Sequence, residues 1–357
     1  MKPILVDAHL DLAYNAVVLG RDLLRPVKEI RDLEIETPPP GFPAGICMTT
    51  FPALLEGRVA IVGGSLFVPP ALQGIQEPQA YRTPQEAYHY AIRQLDYYRY
   101  LADENNHIVI LNTVADMDAV LASWKTGQPR LGIFVVMEGA DPIQEPGEVG
   151  WWVERGLRGV GLTWSMGTRY AGGNADPGPL TDDGRRLLAA MADYNLLLDL
   201  SHLWEDAAYE ALDRYPGPVA ATHANPRAFV DRPRMLPDAL IRRIADRDGV
   251  MGVIPYNRML DEDWRPGDVR LRTVVDTDGT ATFYVGDTQV GTYESGISGG
   301  FAHAAIGASL APELGFRDVV AITTEGIVYE WAADQSMLGW LVYGGDPEHG
   351  VFMGGFE

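Results

Sequence analysis

Among the side chains of the types that hold divalent metals, five are placed in a way that suggests chemistry. His9 and Asp11 follow the apolar run Ile4-Leu5-Val6. Side chains alternate along a strand, so the two point to the same side at its end. A neutral imidazole and a carboxylate so placed make half a site for a divalent ion. Glu138 closes the apolar run 131–137, His202 follows the run 196–200, and His223 follows the run 218–222. Each has an ordinary reading: Glu138 as a loop carboxylate, His202 as the neighbour of a helix cap, His223 as a satisfied core imidazole. Together, three of the seven histidines and a glutamate end four separate apolar runs, which chance explains poorly.

Three histidines and two carboxylates are too many for one catalytic metal that keeps an open position. They fit two metals sharing a bridging carboxylate. Glu138 is the natural bridge because its strand lies between the other two groups; His9 and Asp11 complete one site, His202 and His223 the other. Two such ions generate a hydroxide near neutral pH that can attack a carbonyl. Glu325 stands at a further strand end. Arg234 follows His223 by eleven residues, within Asp231-Arg232-Pro233-Arg234. It reads either as a solvated loop charge or as a bidentate clamp for a substrate carboxylate. His89, His107, His303 and His349 lie in helical or loop contexts and read as surface or packing residues.

Positioning these groups requires strands that all end on one face. Eight apolar runs qualify, near 4–8, 60–68, 131–137, 159–163, 196–200, 218–222, 250–254 and 318–323. Helical sequence follows most of them. The clearest is 84–104, with Ala87, Tyr90, Ala91, Leu95, Tyr98 and Leu101 at helical spacing behind Thr83-Pro84. Helices are also expected near 114–124, 181–194, 205–214, 237–247, 302–314 and 327–342, and His107–Leu111 suggests a short extra strand. Alternating strand and helix implies parallel pairing with helices outside. Eight units predict an α/β fold, a (β/α)8 TIM-like barrel of the metal-dependent amidohydrolase type, with the site at the carboxyl ends of its strands. A doubly wound open sheet is the alternative, weakened because no Gly-x-Gly-x-x-Gly follows the first strand. We expect one barrel domain over 1–357. The stretch 267–300 interrupts the rhythm: its Val-, Thr- and Tyr-rich runs and the pairs Asp278-Gly279 and Gly286-Asp287 predict a small antiparallel insert before the last strand.

Composition narrows the partners. The chain has 357 residues, 46% hydrophobic, and a net charge of −21. Such a charge argues against nucleic acid or an anionic membrane as partner and leaves a small molecule. Cys47 is the only cysteine, so neither an intrachain disulfide nor a cysteine zinc site is available. The apolar run after Met1-Lys2-Pro3 is too short for a signal peptide, and no run approaches the ~20 residues of a spanning helix. A cytoplasmic protein is expected, with a homo-oligomer left open.

The sequence resembles the membrane (renal) dipeptidase family of binuclear zinc metallopeptidases. The matching segments are Val6–Leu12, Met137–Gly139, Gly161–Trp164, Gly178–Asp182, Leu198–His202, Val219–His223 with Asn225 and Arg227, and Arg234 with Leu236 and Asp238. They cover roughly residues 1–260 in order. The resemblance implies two zinc ions, one on His9 and Asp11, one on His202 and His223, with Glu138 bridging. It implies that Arg234 holds the carboxylate of a dipeptide whose amide is hydrolysed. Two departures stand out. Trp164 occupies the place where the animal enzymes carry a histidine. The family's last strand ends in an aspartate motif that handles protons, whereas this chain has Ala321-Ile-Thr-Thr-Glu325-Gly326. Glu325 is the substitute acid, but one added methylene moves the carboxylate, and a misplacement of ~1 Å can cost about 100-fold. Two other readings follow: a metal-binding protein with impaired chemistry, and a related amidohydrolase acting on another carboxylate-bearing amide or lactam.

Overall fold

Apolar runs pair side by side and set the frame of the structure, a computed structural model. It describes residues 4–39, 42, 44–72, 78–254 and 256–263, and beyond them the strands 271–275, 280–285, 288–294, 301–306, 317–323 and 328–333. The strands β1 (Leu5–Leu10), β2 (Val59–Phe67), β3 (Ile108–Ile110), β4 (Leu131–Glu138), β5 (Leu157–Gly161), β6 (Leu197–Asp199), β7 (Val219–Ala221) and β8 (Val250–Met251) form one sheet. Its order is β1-β2-β4-β5-β6-β7-β8, with β3 beside the start of β4, and every pairing is parallel. Both β2 and β4 are buried almost throughout, as strands covered on two faces must be. At Gly63 a Cβ would come within 2.0 Å of the Ala8 carbonyl oxygen, so glycine is what lets β1 and β2 lie together.

Helices separate successive strands. Between β1 and β2 lie α1 (Leu12–Val17), α2 (Val27–Glu36) and α3 (Phe51–Glu56); α4 (Pro84–Glu104) and α5 (Val114–Thr126) flank β3. The helices α6 (Val149–Glu154), α7 (Asp182–Asp193), α8 (Glu205–Arg214), α9 (Asp238–Ala245) and α10 (Asn257–Leu260) follow β4, β5, β6, β7 and β8. The helix α4 shows why these positions fold as they do. Thr83 caps it by accepting from the Glu86 amide at 3.2 Å, and proline is tolerated at its first position. Its inner face buries Ala87, Ala91, Leu95, Tyr98 and Leu101. Burying each leucine contributes about 1.5–3 kcal/mol. The Tyr98 hydroxyl donates to the Ser65 carbonyl at 2.9 Å and accepts from the Ala13 amide at 3.2 Å, tying α4 to β2 and α1.

The barrel-type α/β architecture read from the sequence is therefore present as a curled parallel sheet flanked by helices. The carboxyl-terminal portion holds the expected antiparallel insert and then departs from the parallel rhythm. In one antiparallel sheet, β9 (Leu271–Val275), β10 (Thr280–Val285) and β11 (Thr288–Glu294) pair in the order β11-β10-β9. In another, β12 (Phe301–Ile306), β13 (Arg317–Thr323) and β14 (Val328–Ala333) pair consecutively. The run expected as the eighth parallel strand is thus β13, antiparallel to both neighbours. A short apolar run fits a buried strand of either sense and does not name its partner. The start of the expected helix 302–314 is the strand β12, and the start of 327–342 is β14. Local preference for a helix is weak, and cross-strand partners override it. The remainder of both stretches lies outside the described residues. Among the described residues no helix is long and apolar enough to cross a membrane.

Candidate metal centre

Parallel strands end together, and this sheet curls. His9 comes from β1 and His223 follows β7, yet their rings lie 3.9 Å apart between centroids. Glu138 is the last residue of β4; Gly139 after it takes φ +81°, a left-handed turn that glycine makes without strain. His202 follows β6 with φ +64°, a conformation that non-glycine residues seldom adopt and that tends to mark functional sites. All four side chains are buried, and Asp11 is 17% exposed.

One Glu138 oxygen, Oε2, lies 3.1 Å from His9 Nε2. The other, Oε1, lies 3.2 Å from Nε2 of both His202 and His223. Those two nitrogens are 2.9 Å apart. His9 Nε2 is also 3.5 Å from Asp11 Oδ1. The structure thus brings together His9, Asp11, Glu138, His202 and His223 around one carboxylate. This donor set suits divalent metals of the zinc class. The fit rests on convergence: buried imidazole nitrogens face one another and a carboxylate, and ligand atoms of His9, Glu138 and His223 lie within 4.8 Å of one another. Arg234 is buried, and its Nη2 donates to the His223 carbonyl at 2.8 Å. Glu325 lies outside the described residues.

The electrostatics are those of a coupled cluster. Burial opposes the His9 imidazolium, but the Glu138 charge and bonds to Asp11 and Glu138 outweigh it and hold its pKa well above 6.5. Burial, aided by the charge on His9, drives His223 well below 6.5, so it is neutral. Burial raises Glu138, yet the charge on His9, the largest opposing influence, holds it well below 4.5. Asp11 is raised, by burial first. Beneath them, burial pushes Asp7 from 3.8 up to about 8. Its Oδ1 accepts the His9 amide at 3.0 Å, while Oδ2 has no partner among the described residues.

A second layer holds the first. Ser65 donates to Asp11 Oδ1, and Asn15 donates to the Asp11 carbonyl at 2.7 Å. Asn174 Oδ1 lies 2.9 Å from His202 Nδ1, and Thr222 Oγ1 lies 2.9 Å from His223 Nδ1. Asp199 is buried among Ser201 and Thr222. Sequence reading missed all of these as site residues. The available signal was Asp199 itself, a carboxylate inside an apolar strand three residues before His202. Aromatic rings form an apolar wall beside the cluster: Trp164 lies 6.4 Å from His202, Phe67 5.2 Å from Trp164, and Tyr14 5.2 Å from Phe67.

Comparison with known proteins places the chain in a family. The sequence pattern of the family described as Membrane dipeptidase (Peptidase family M19) matches residues 1–310. A curated protein of Acinetobacter calcoaceticus, named only as an uncharacterized protein in the PQQ-III 3' region, is 31% identical over 180 residues, which cover 48% of this chain and 56% of that protein. Dipeptidase tcpJ of Claviceps purpurea is 27% identical over 125 residues, 34% of this chain and 29% of that protein. The chain spans about half the length of the first curated relatives it matches. Among solved structures, a metallo peptidase from Rhodobacter sphaeroides, liganded with a phosphinate mimic of the dipeptide L-Ala-D-Ala, aligns with TM-score 0.57 and 22% identity, covering 74% of this chain and 77% of that one. The probable dipeptidase PvdM from Pseudomonas aeruginosa aligns with TM-score 0.59 and 19% identity, covering 72% and 61%. At such identities the structural likeness is one of fold. With the family pattern matching residues 1–310, the chain belongs to the membrane dipeptidase family.

Proposed function

We propose that the protein hydrolyses dipeptides with two divalent metal ions, zinc in the first instance, held by His9, Asp11, Glu138, His202 and His223. The observation that carries this reading is the division of Glu138, one oxygen toward His9 and the other toward His202 and His223. Ions of this kind, when bound, supply Lewis acidity and acidify water. The chain's own residues do the rest. Arg234, steadied on the His223 carbonyl, receives the substrate carboxylate as a charge-assisted pair. That contact sets the scissile carbonyl over the cluster. The wall of Trp164, Phe67 and Tyr14 excludes water from one side and accepts an apolar substrate side chain. Glu325 is the proposed proton donor to the leaving amine.

A panel of L,L and L,D dipeptides on zinc-loaded protein tests the reading. Turnover that disappears in His202→Ala together with metal content supports it; full activity in that variant sinks it. One observation favours a second reading, a metal-binding protein with altered chemistry. The strand before Glu325, β13, pairs antiparallel with β12 and β14. Two zinc ions per chain without turnover of any dipeptide would favour that alternative.

A further inference from the structure

We infer that Asp199, acting through the Thr222 hydroxyl, fixes His223 with its proton on Nδ1 and its Nε2 lone pair aimed at Glu138. This inference rests on the metal-centre reading above. It follows from counting protons. Four donors converge on the Asp199 carboxylate: the Ser201 amide at 3.0 Å, the Ser201 hydroxyl at 2.7 Å and the Thr222 amide at 2.9 Å, all on Oδ1, and the Thr222 hydroxyl on Oδ2. A carboxylate so surrounded only accepts. The Thr222 hydroxyl has one proton, and Asp199 takes it. Toward His223 Nδ1, at 2.9 Å, Thr222 Oγ1 can then only accept, so Nδ1 must carry the hydrogen. The opposite nitrogen, Nε2, is left bare, and it faces Glu138 at 3.2 Å.

The same carboxylate also fixes the backbone of His223. Ser201 Oγ spends its proton on Asp199 and accepts the His223 amide at 3.1 Å. The remaining lone pair of Thr222 Oγ1 lies 3.5 Å from His9 Nδ1, so one hydroxyl stands between the two half-sites. Asp199 and Thr222 lie behind the imidazoles, away from Glu138, and are positioning residues. Support of this kind orients a ligating histidine and selects its tautomer.

Chelator-competition titration with zinc tests this on four proteins: wild type, Asp199→Asn, Thr222→Val and Thr222→Ser. In Asp199→Asn an amide donates to Thr222, the hydroxyl turns, and its proton is given to Nδ1, moving the imidazole hydrogen to Nε2. Zinc affinity is expected to fall by roughly 10- to 100-fold in Asp199→Asn and Thr222→Val, and to stay within about threefold of wild type in Thr222→Ser. Nitrogen-15 NMR of histidine-labelled, metal-free wild type reads the tautomer directly and needs no variant to fold; the Nδ1–H form of His223 is expected. Wild-type affinity in a folded Thr222→Val, or an Nε2–H signature for His223 in wild type, overturns the inference while leaving the metal centre intact. A wild type that binds no zinc overturns the metal centre and the inference with it.

Discussion

The two halves of the candidate centre are built differently. The far half, His202 and His223, is fully buried; each ring has an oxygen partner at Nδ1, and one backbone is held in a left-handed turn. In the near half Asp11 leans on Ser65 and Asn15 and is partly exposed, while His9 Nδ1 has only the longer 3.5 Å approach of Thr222 Oγ1. The charge states differ too. His223 is neutral and ready to ligate, whereas His9 holds a proton that a metal must displace. On the proposed two-metal reading, the far half is a preformed socket and the near half closes only when charge is exchanged.

The sharpest way to break this comparison is to remove one ligand from each half. His202→Ala is expected to lower kcat/KM by roughly 1,000-fold or more, since a catalytic metal supplies several kcal/mol. Asp11→Ala is expected to cost about tenfold less, because water can reach its position and replace an oxygen ligand. Equal losses in steady-state assays would erase the distinction. Next in size is Arg234→Met, which removes a contact worth about 2 kcal/mol and should raise KM roughly 30-fold, with a smaller change in kcat.

The charge difference can be sharpened by pH. Below the raised pKa of His9, zinc binding at the near half releases a proton, so affinity there should weaken about tenfold per unit of falling pH. His223 adds no such dependence, and isothermal titrations of wild type in buffers of different ionisation enthalpy read the proton released from His9 directly. The smallest effect concerns stability. The folded Asp7 keeps a proton that the unfolded chain loses above about pH 4. A raised pKa stabilises below the unfolded value and loses that contribution as pH climbs through the folded one. Metal-free protein should therefore lose about 1 kcal/mol per pH unit from this group between about pH 4 and 8. Asp7→Asn imitates the neutral acid, so its melting temperature should exceed that of wild type above pH 8. A parallel pH dependence of the two proteins would remove Asp7 from the account.

What could be read from the sequence was whatever depends on position along a strand. His9, Glu138, His202 and His223 were legible because an apolar run ends where each begins, and parallel strands end together. The support layer was not. Thr222 and Asn174 look like any polar loop residues, and their roles exist only across strands, in hydrogen bonds between residues 21 to 28 positions apart or in the choice of tautomer. Direction of pairing was equally hidden. The run 318–323 has the composition of a barrel strand, and nothing in it distinguishes β13 in an antiparallel sheet from an eighth parallel strand. The stretch expected as a helix over 302–314 begins instead as β12, because its partner strand, which the sequence does not name, pairs with it.

The central claim is that one carboxylate joins two metal sites. Metal content by mass spectrometry of wild type and Glu138→Ala, each dialysed against low zinc, tests it most directly. Two zinc ions per chain in wild type and loss of both in Glu138→Ala are the predicted result. A wild type holding a single ion, or a Glu138→Ala variant that keeps two, would contradict the claim.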